Sequence, residues 1–350
     1  MFGIRADEGN SSIGAEIARE LGISSGALEK SEANGEVLEG LKKWVQRDFS
    51  GALLHFRKAA EAGVPLGQLM LGGMYLRGDG VAADGNEAVK WLKSAGQQGQ
   101  ISAQFLLGVI YRRGEGVKKD AEEMVYWYRK AAEQGHAEAQ YAMGVFYRRG
   151  EGVEQSYDEA LRWYSKAAAE GEDRALYSVG VMHLERDGVK QDYAKALEWF
   201  EKGAKAGNPE SEFNIGVMFS EGKGVKKDEA EAVKWYRRAA EGNVSNAQFN
   251  LGLNLVNGIG TKKDYVEAQA WFRLAAERGH ESAITAKREL GKRLSRRQES
   301  KAEKRTEELR ELVIKRAEER ELNRKAGMLR DIGGGERQKI LKDIFGADIK

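Results

Sequence analysis

The chain has 350 residues, with 57 basic and 55 acidic side chains and a net charge of +2. That balance removes the simplest argument for a nucleic-acid or anionic-membrane partner, and the absence of cysteine excludes disulfides and thiolate metal ligands. Only Pro65 and Pro209 could interrupt a helix, and no run approaches the roughly 18 apolar residues of a membrane span.

The first segment, 1–35, reads as a helical cap or arm. Ile13, Ile17 and Leu21 recur at helical spacing, as expected of a lid over the apolar end of whatever follows. The run Ile17-Ala18-x-x-Leu21-Gly22-Ile23-Ser24-x-x-Ala27-Leu28 also resembles a helix-turn-helix core, whose second helix, 25–31, would enter the DNA major groove. That helix offers only Ser25, Glu29 and Lys30 as base readers, and no room exists before Ser12 for a supporting helix. The cap is the better reading. Met1 to Asn10 carries no secretory pattern, so a cytoplasmic location is expected, or an exported effector if translation starts upstream.

From 36 to 283 the chain repeats. Trp91, Trp127, Trp163, Trp199, Trp235 and Trp271 fall 36 residues apart, and Gly72, Gly108, Gly144, Gly180, Gly216 and Gly252 keep the same interval. A period in this range means stacked supersecondary units. In one copy Ala139, Met143 and Tyr147 mark a first helix, and Ala160, Trp163 and Ala167 a second. Gly144 sits inside the first helix, where glycine costs about 1 kcal/mol relative to alanine. Its recurrence predicts a neighbouring helix too close for a Cβ.

The second helix starts at Asp84, Asp120, Ser156, Asp192, Asp228 or Asp264, and Glu follows three residues later in every copy except Lys195. Such caps accept orphan amide hydrogens and complement the helix dipole. It ends at Gly63, Gly99, Gly135, Gly171, Gly207 and Gly279, with Asn243 the one substitute that tolerates the left-handed conformation.

The run Leu107-Gly108, Tyr111, Gly114-x-Gly116-Val117, Asp120, Trp127-Tyr128 and Ala131-Ala132 resembles the Sel1-like repeat, a relative of the tetratricopeptide repeat. The similarity covers about Ala52 to Ala283. Ahead of six full copies stands a divergent seventh, which keeps Asp48, Ala52, Ala59-Ala60 and Gly63, with His55 in the tryptophan position. One copy departs, with His183 for the tyrosine and Arg186 for the first loop glycine. The resemblance implies an all-α, right-handed α-solenoid of about seven helix–loop–helix repeats, acting as a protein–protein scaffold or adaptor.

In tetratricopeptide-like solenoids the first helices line the concave face. Carried over, that places Leu69, Phe105, Tyr141, Tyr177, Phe213 and Phe249 inward, with Gly73, Val109, Val145, Val181, Val217 and Leu253 one turn on. Such a ladder suits a partner peptide or helix in the groove, or serves only to pack adjacent repeats. Arg77, Arg112, Arg113, Arg148 and Arg149 end three successive first helices, where later copies carry Glu185, Ser220-Glu221 and Val256-Asn257. Guanidinium forks there suit an acidic partner segment; a cation at a helix C-terminus is also favourable by itself.

No cofactor, metal site or catalytic constellation is expected. His55, His136, His183 and His280 are scattered, no thiol exists, and Gly-x-Gly-Val links two helices rather than a strand to a helix. From 284 to 332 the chain is dense in Lys, Arg and Glu, with Leu290, Leu294, Leu309, Leu312, Val313 and Leu322 as sparse apolar points. It reads as a solvated helix extending from the last repeat. The final segment, 333–350, joins Gly333-Gly334-Gly335 to an amphipathic stretch carrying Ile340, Leu341, Ile344 and Phe345. The alternative to a scaffold is a nucleic-acid-associated regulator using the helix-turn-helix-like start and the basic tail.

Overall fold

A computed structural model describes residues 32–185 and 188–328. The helix-turn-helix-like run, Arg186 and the Gly-linked tail lie outside the described residues. Among those residues there are sixteen helices and no strand.

The chain divides into two compact units between Trp163 and Tyr164. The first holds α1 (Glu32–Val45), α2 (Phe49–Glu61), α3 (Pro65–Arg77), α4 (Gly85–Gln97), α5 (Ile101–Arg113), α6 (Ala121–Glu133) and α7 (Ala137–Arg149), and the division falls inside α8 (Tyr157–Ala169). The second continues with α9 (Asp173–Glu185), α10 (Tyr193–Lys205), α11 (Pro209–Glu221), α12 (Glu229–Glu241), α13 (Ser245–Asn257), α14 (Tyr265–Glu277), α15 (Glu281–Gly291) and α16 (Arg296–Met328). From α1 to α7, and again from α9 to α15, each helix packs on its neighbours in the chain. That arrangement of helix pairs is an α-solenoid.

The expected starts and stops are all present. Asp120 accepts the N–H groups of Glu122 and Glu123 at 3.0 Å, and Asp84 and Asp228 do the same in their copies. Gly63, Gly99, Gly135, Gly171, Gly207 and Gly279 all take positive φ, and Asn243 does so at 72°. The divergent first pair follows suit, with Asp48 capping α2.

Gly72, Gly108, Gly180, Gly216 and Gly252 do meet a close neighbour, and in each case it is the residue twenty positions on. A Cβ at Gly108 would lie 2.6 Å from the Tyr128 ring, at Gly180 2.6 Å from Phe200, and at Gly252 2.5 Å from Phe272. These rings follow the tryptophans and lie in the core. Leu92, Tyr128, Tyr164, Phe200, Tyr236 and Phe272 are all buried, whereas Trp91, Trp199 and Trp235 are only half-buried. Trp127, Trp163 and Trp271 are buried as well, so the tryptophan packs in three copies and the residue after it in all six. The second loop glycine also has a packing role: a Cβ at Gly80 would lie 2.6 Å from the Phe49 carbonyl oxygen, at the start of the preceding repeat's second helix.

The C-terminal helix departs from expectation. After a break at Ser295, α16 lies back on α14 and α12 instead of extending away. Ala302, Thr306, Leu309 and Val313 form its buried seam, spaced four, three and four residues apart. Flanking ion pairs tie it down: Arg273 to Glu299 at 2.6 Å, Arg310 to Glu277 at 2.8 Å, and Arg316 to Glu241 at 2.9 Å. Its high charge is thus complementary to the second helices it covers, which is why composition alone made it look solvated.

Candidate protein-docking surface

Each first helix carries one stripe at spacing i, i+4, i+7 whose side chains lie together. In α5 the stripe is Phe105, Val109 and Arg112; in α7 it is Tyr141, Val145 and Arg148. All but Arg112 are half-buried, and Arg112 is exposed. Leu69, at the same place in α3, is buried.

Arg112 reaches toward the following repeat. Its guanidinium lies 5.7 Å from the Phe146 ring centroid, and its Nε is 3.7 Å from Glu151. Burial pushes the Tyr128 phenol above its ordinary pKa, and Arg112, hydrogen-bonded to it, pulls the other way. Arg113 points off the stripe and meets Glu115 at 3.1 Å. Arg149 is exposed at the equivalent place in α7, and the Arg148 carbonyl accepts from Gln155 at 2.8 Å. Arg77 is held by Asp79 at 2.6 Å and lies 4.9 Å over the Trp44 ring. Five guanidiniums thus share the first-helix ends with Asp79, Glu115 and Glu151.

In the second unit the stripe continues as Tyr177, Phe213 and Phe249, all half-buried, but without arginines. Leu184, Ser220 and Val256 occupy the Arg112 position, and Ser220 Oγ sits 3.1 Å from the Tyr236 hydroxyl. Glu221 pairs with Lys223 at 2.6 Å. The ten expected residues therefore fall into two sets, one basic and one neutral, in separate units.

The aromatic residues also pack. Phe105 meets Tyr128 edge-on at 5.5 Å and Phe249 lies 5.8 Å from Phe272. Sequence reasoning missed what covers their other faces: His136 stacks on Phe105 at 4.4 Å, and His280 on Phe249 at 4.7 Å. Each histidine also caps the following first helix, its Nδ1 accepting from Ala139 or Ala283 at 3.2 Å. Ring and histidine are 31 residues apart in both copies, a spacing that only becomes a signal once the fold is known. Among the described residues no cluster of His, Asp or Glu could hold a metal ion, and no helix is long and apolar enough to cross a membrane.

Seven stretches of the chain match the Sel1 repeat model: 35–64, 65–100, 101–136, 137–172, 173–208, 209–244 and 245–280. The first of these is the divergent copy. Among solved structures, a protective antigen of uropathogenic Escherichia coli strains that displays an SLR fold is similar at 31% identity and a TM-score of 0.70, over 93% of this chain and 71% of that one. A Sel1 repeat protein from Oxalobacter formigenes is similar at 31% identity and a TM-score of 0.60, over 69% of this chain and 96% of that one. No curated protein matches the sequence.

Proposed function

The chain belongs to the Sel1 repeat family, whose members are typically non-catalytic and mediate protein–protein interactions, and from that premise we propose a scaffold that holds an acidic partner segment on the first helices of its N-terminal unit. One observation carries the reading. Only in α5 and α7 does the half-exposed aromatic stripe, at Phe105 and Tyr141, end in an arginine, at Arg112 and Arg148. A partner carboxylate would compete with Glu151 for Arg112, a weak 3.7 Å pair that yields readily to a better-aligned fork. An apolar partner side chain would sit against Val109 or Val145.

The test is a peptide array carrying acidic, neutral and basic segments with aliphatic or aromatic anchors. Wild-type protein should be retained by the acidic set. Arg112→Ala/Arg148→Ala, with unchanged helicity, should bind it about tenfold more weakly, as expected for two charge-assisted contacts. Equal binding by both proteins would withdraw the arginine assignment. Preference for basic segments would sink the acidic-partner reading.

A further inference from the structure

The corner where α15 ends and α16 begins is the most basic stretch of the described chain. Between 287 and 304 eight cations stand against three acids, a local excess that the near-neutral whole-chain charge hides. In the sequence the interspersed glutamates look neutralising. The structure turns two of them inward: Glu299 and Glu303 both meet Arg273 of α14, at 2.6 and 3.4 Å, and Glu299 also accepts from Gln269 at 2.9 Å. The third, Glu289, pairs with Lys292 at 2.8 Å. That leaves Arg293, Arg296, Arg297, Lys301 and Lys304, all exposed and, among the described residues, without an ion pair or side-chain hydrogen bond.

Their placement is ordered. Arg297, Lys301 and Lys304 recur at i, i+4 and i+7, on the side of α16 turned away from its buried seam. The groove that Lys301 and Lys304 share with the start of α14 does contain Asp264, Glu267 and Glu308, but each is engaged. Asp264 caps α14, Glu267 holds Arg237, and Glu308 meets Arg305 at 3.0 Å. Arg296 and Arg297 stand in the first turn of α16, where a cation opposes the helix dipole; α6, α12 and α14 carry glutamate in that turn. The two arginines therefore cost stability where they are, and packing gives no reason for them. The surface is also fixed in place, because the seam and the Arg273 pairs hold this end of α16 down.

The surroundings select the ligand. No large apolar side chain of 287–305 is exposed, so the anchor that a protein partner or a bilayer needs is absent. No aromatic ring is present to stack an unpaired base. What remains is a row of positive charges, which suits phosphates spaced along a duplex. We infer that residues 293–304 bind the phosphate backbone of a double-stranded nucleic acid without reading its sequence. Contacts to phosphate alone carry no sequence information. The site uses none of the residues of the acidic-segment surface on α5 and α7.

Fluorescence anisotropy of the full chain with a labelled DNA duplex tests this. Neutralising three to five phosphates predicts that log K falls against log salt with a slope of about −3 to −4.5. Lys301→Gln/Lys304→Gln should make that slope shallower by about two units. Lys118→Gln/Lys119→Gln, which removes two exposed lysines ahead of α6, should leave slope and affinity unchanged. All four positions are exposed, so helicity should be the same in both variants. No binding at low salt, or equal losses in the two variants, overturns the inference. Two duplexes of unrelated sequence should bind alike, and strong preference for one overturns the backbone reading. Binding of phosphatidylserine vesicles without binding of duplex would put a membrane on this corner instead. Equal affinity for polyglutamate of matched charge would put an acidic protein there, and either result overturns the assignment.

Discussion

At the scale of single residues, two adjacent glycines make opposite predictions. A Cβ at Gly72 would lie 2.7 Å from the Leu92 side chain and 3.1 Å from the Ala88 carbonyl oxygen, while one at Gly73 would meet only the flexible Arg77 guanidinium at 3.4 Å. Alanine gains about 1 kcal/mol over glycine in a helix, but overpacking a close contact costs typically 1–3 kcal/mol. Gly73→Ala should therefore raise the thermal midpoint, and Gly72→Ala should lower it or leave it no higher. A melting curve for each variant checks the sign. The periodicity alone showed that position 72 recurs as glycine; only the structure shows the Leu92 contact that makes it necessary. His183 gives a second residue-scale prediction. Burial holds its pKa below the ordinary 6.5, Lys195 lowers it further, and Asp192 and a backbone bond at Lys190 oppose them. The unfolded chain therefore binds the proton more readily. The contribution is present above about pH 6.5 and is lost as pH falls from there through the lower folded value. Thermal midpoints measured from pH 7.5 down to 5.5 should show this loss, and His183→Tyr, which introduces the residue found at Tyr75, Tyr111 and Tyr147, should flatten it. An equal slope in both proteins would assign the pH effect to other groups.

At the scale of elements, the helix pairs were legible because their signals are local: a cap, a stripe and a C-terminal glycine, all within about 36 residues. The course of α16 was not legible. Its inward seam mixes Ala302 and Thr306 with Leu309 and Val313, too little apolar area to stand out, and its partners lie far back in the chain: Glu277 for Arg310, Glu241 for Arg316 and the Gly242 carbonyl for Arg320. Long-range charge matching leaves no periodic trace in the chain it comes from. The aromatic ladder was legible as a row with packing as one of its two readings, but the part of His136 and His280 was not, because each stacks on a ring 31 residues earlier in its own repeat. The structure makes the apolar seam, rather than the ion pairs, the main hold on α16. Leu309 is 1% exposed, and burying a carboxylate there would cost several kcal/mol. Leu309→Asp should release α16, seen as new cleavage at its lysines and arginines by trypsin under native conditions. Arg310→Ala breaks exposed pairs to Glu277 and Glu307, each worth about 0–1 kcal/mol, and should leave α16 protected. Release by both variants would show that the ion pairs matter more than their exposure suggests.

At the scale of the whole molecule, the 36-residue register makes deletion of one repeat a chemical experiment on the junctions. In the intact chain Lys93 meets Tyr111 and Glu123, and Gln104 donates to the Gly96 carbonyl. Removing 101–136 preserves that pattern by type: Lys93 would face Tyr147 and Glu159, and Gln140 would donate to the Gly96 carbonyl. Removing 173–208 instead would set Ser165 against Phe219 and Glu212 against the Ala168 carbonyl. Both shortened chains should fold, because each keeps whole helix pairs and stacks like on like. They should not be equally stable. Loss of 101–136 takes away a repeat latched on both sides, with the Gln104, Gln134 and Lys93 bonds that go with it. Loss of 173–208 takes away a repeat that carries Leu176 in place of that glutamine and Glu201 in place of that lysine. The urea midpoint followed by helicity should therefore fall further for the first deletion than for the second. The reverse order would mean that apolar stacking sets the stability of this array regardless of its polar latches, and the uneven distribution of those latches would then have no energetic consequence.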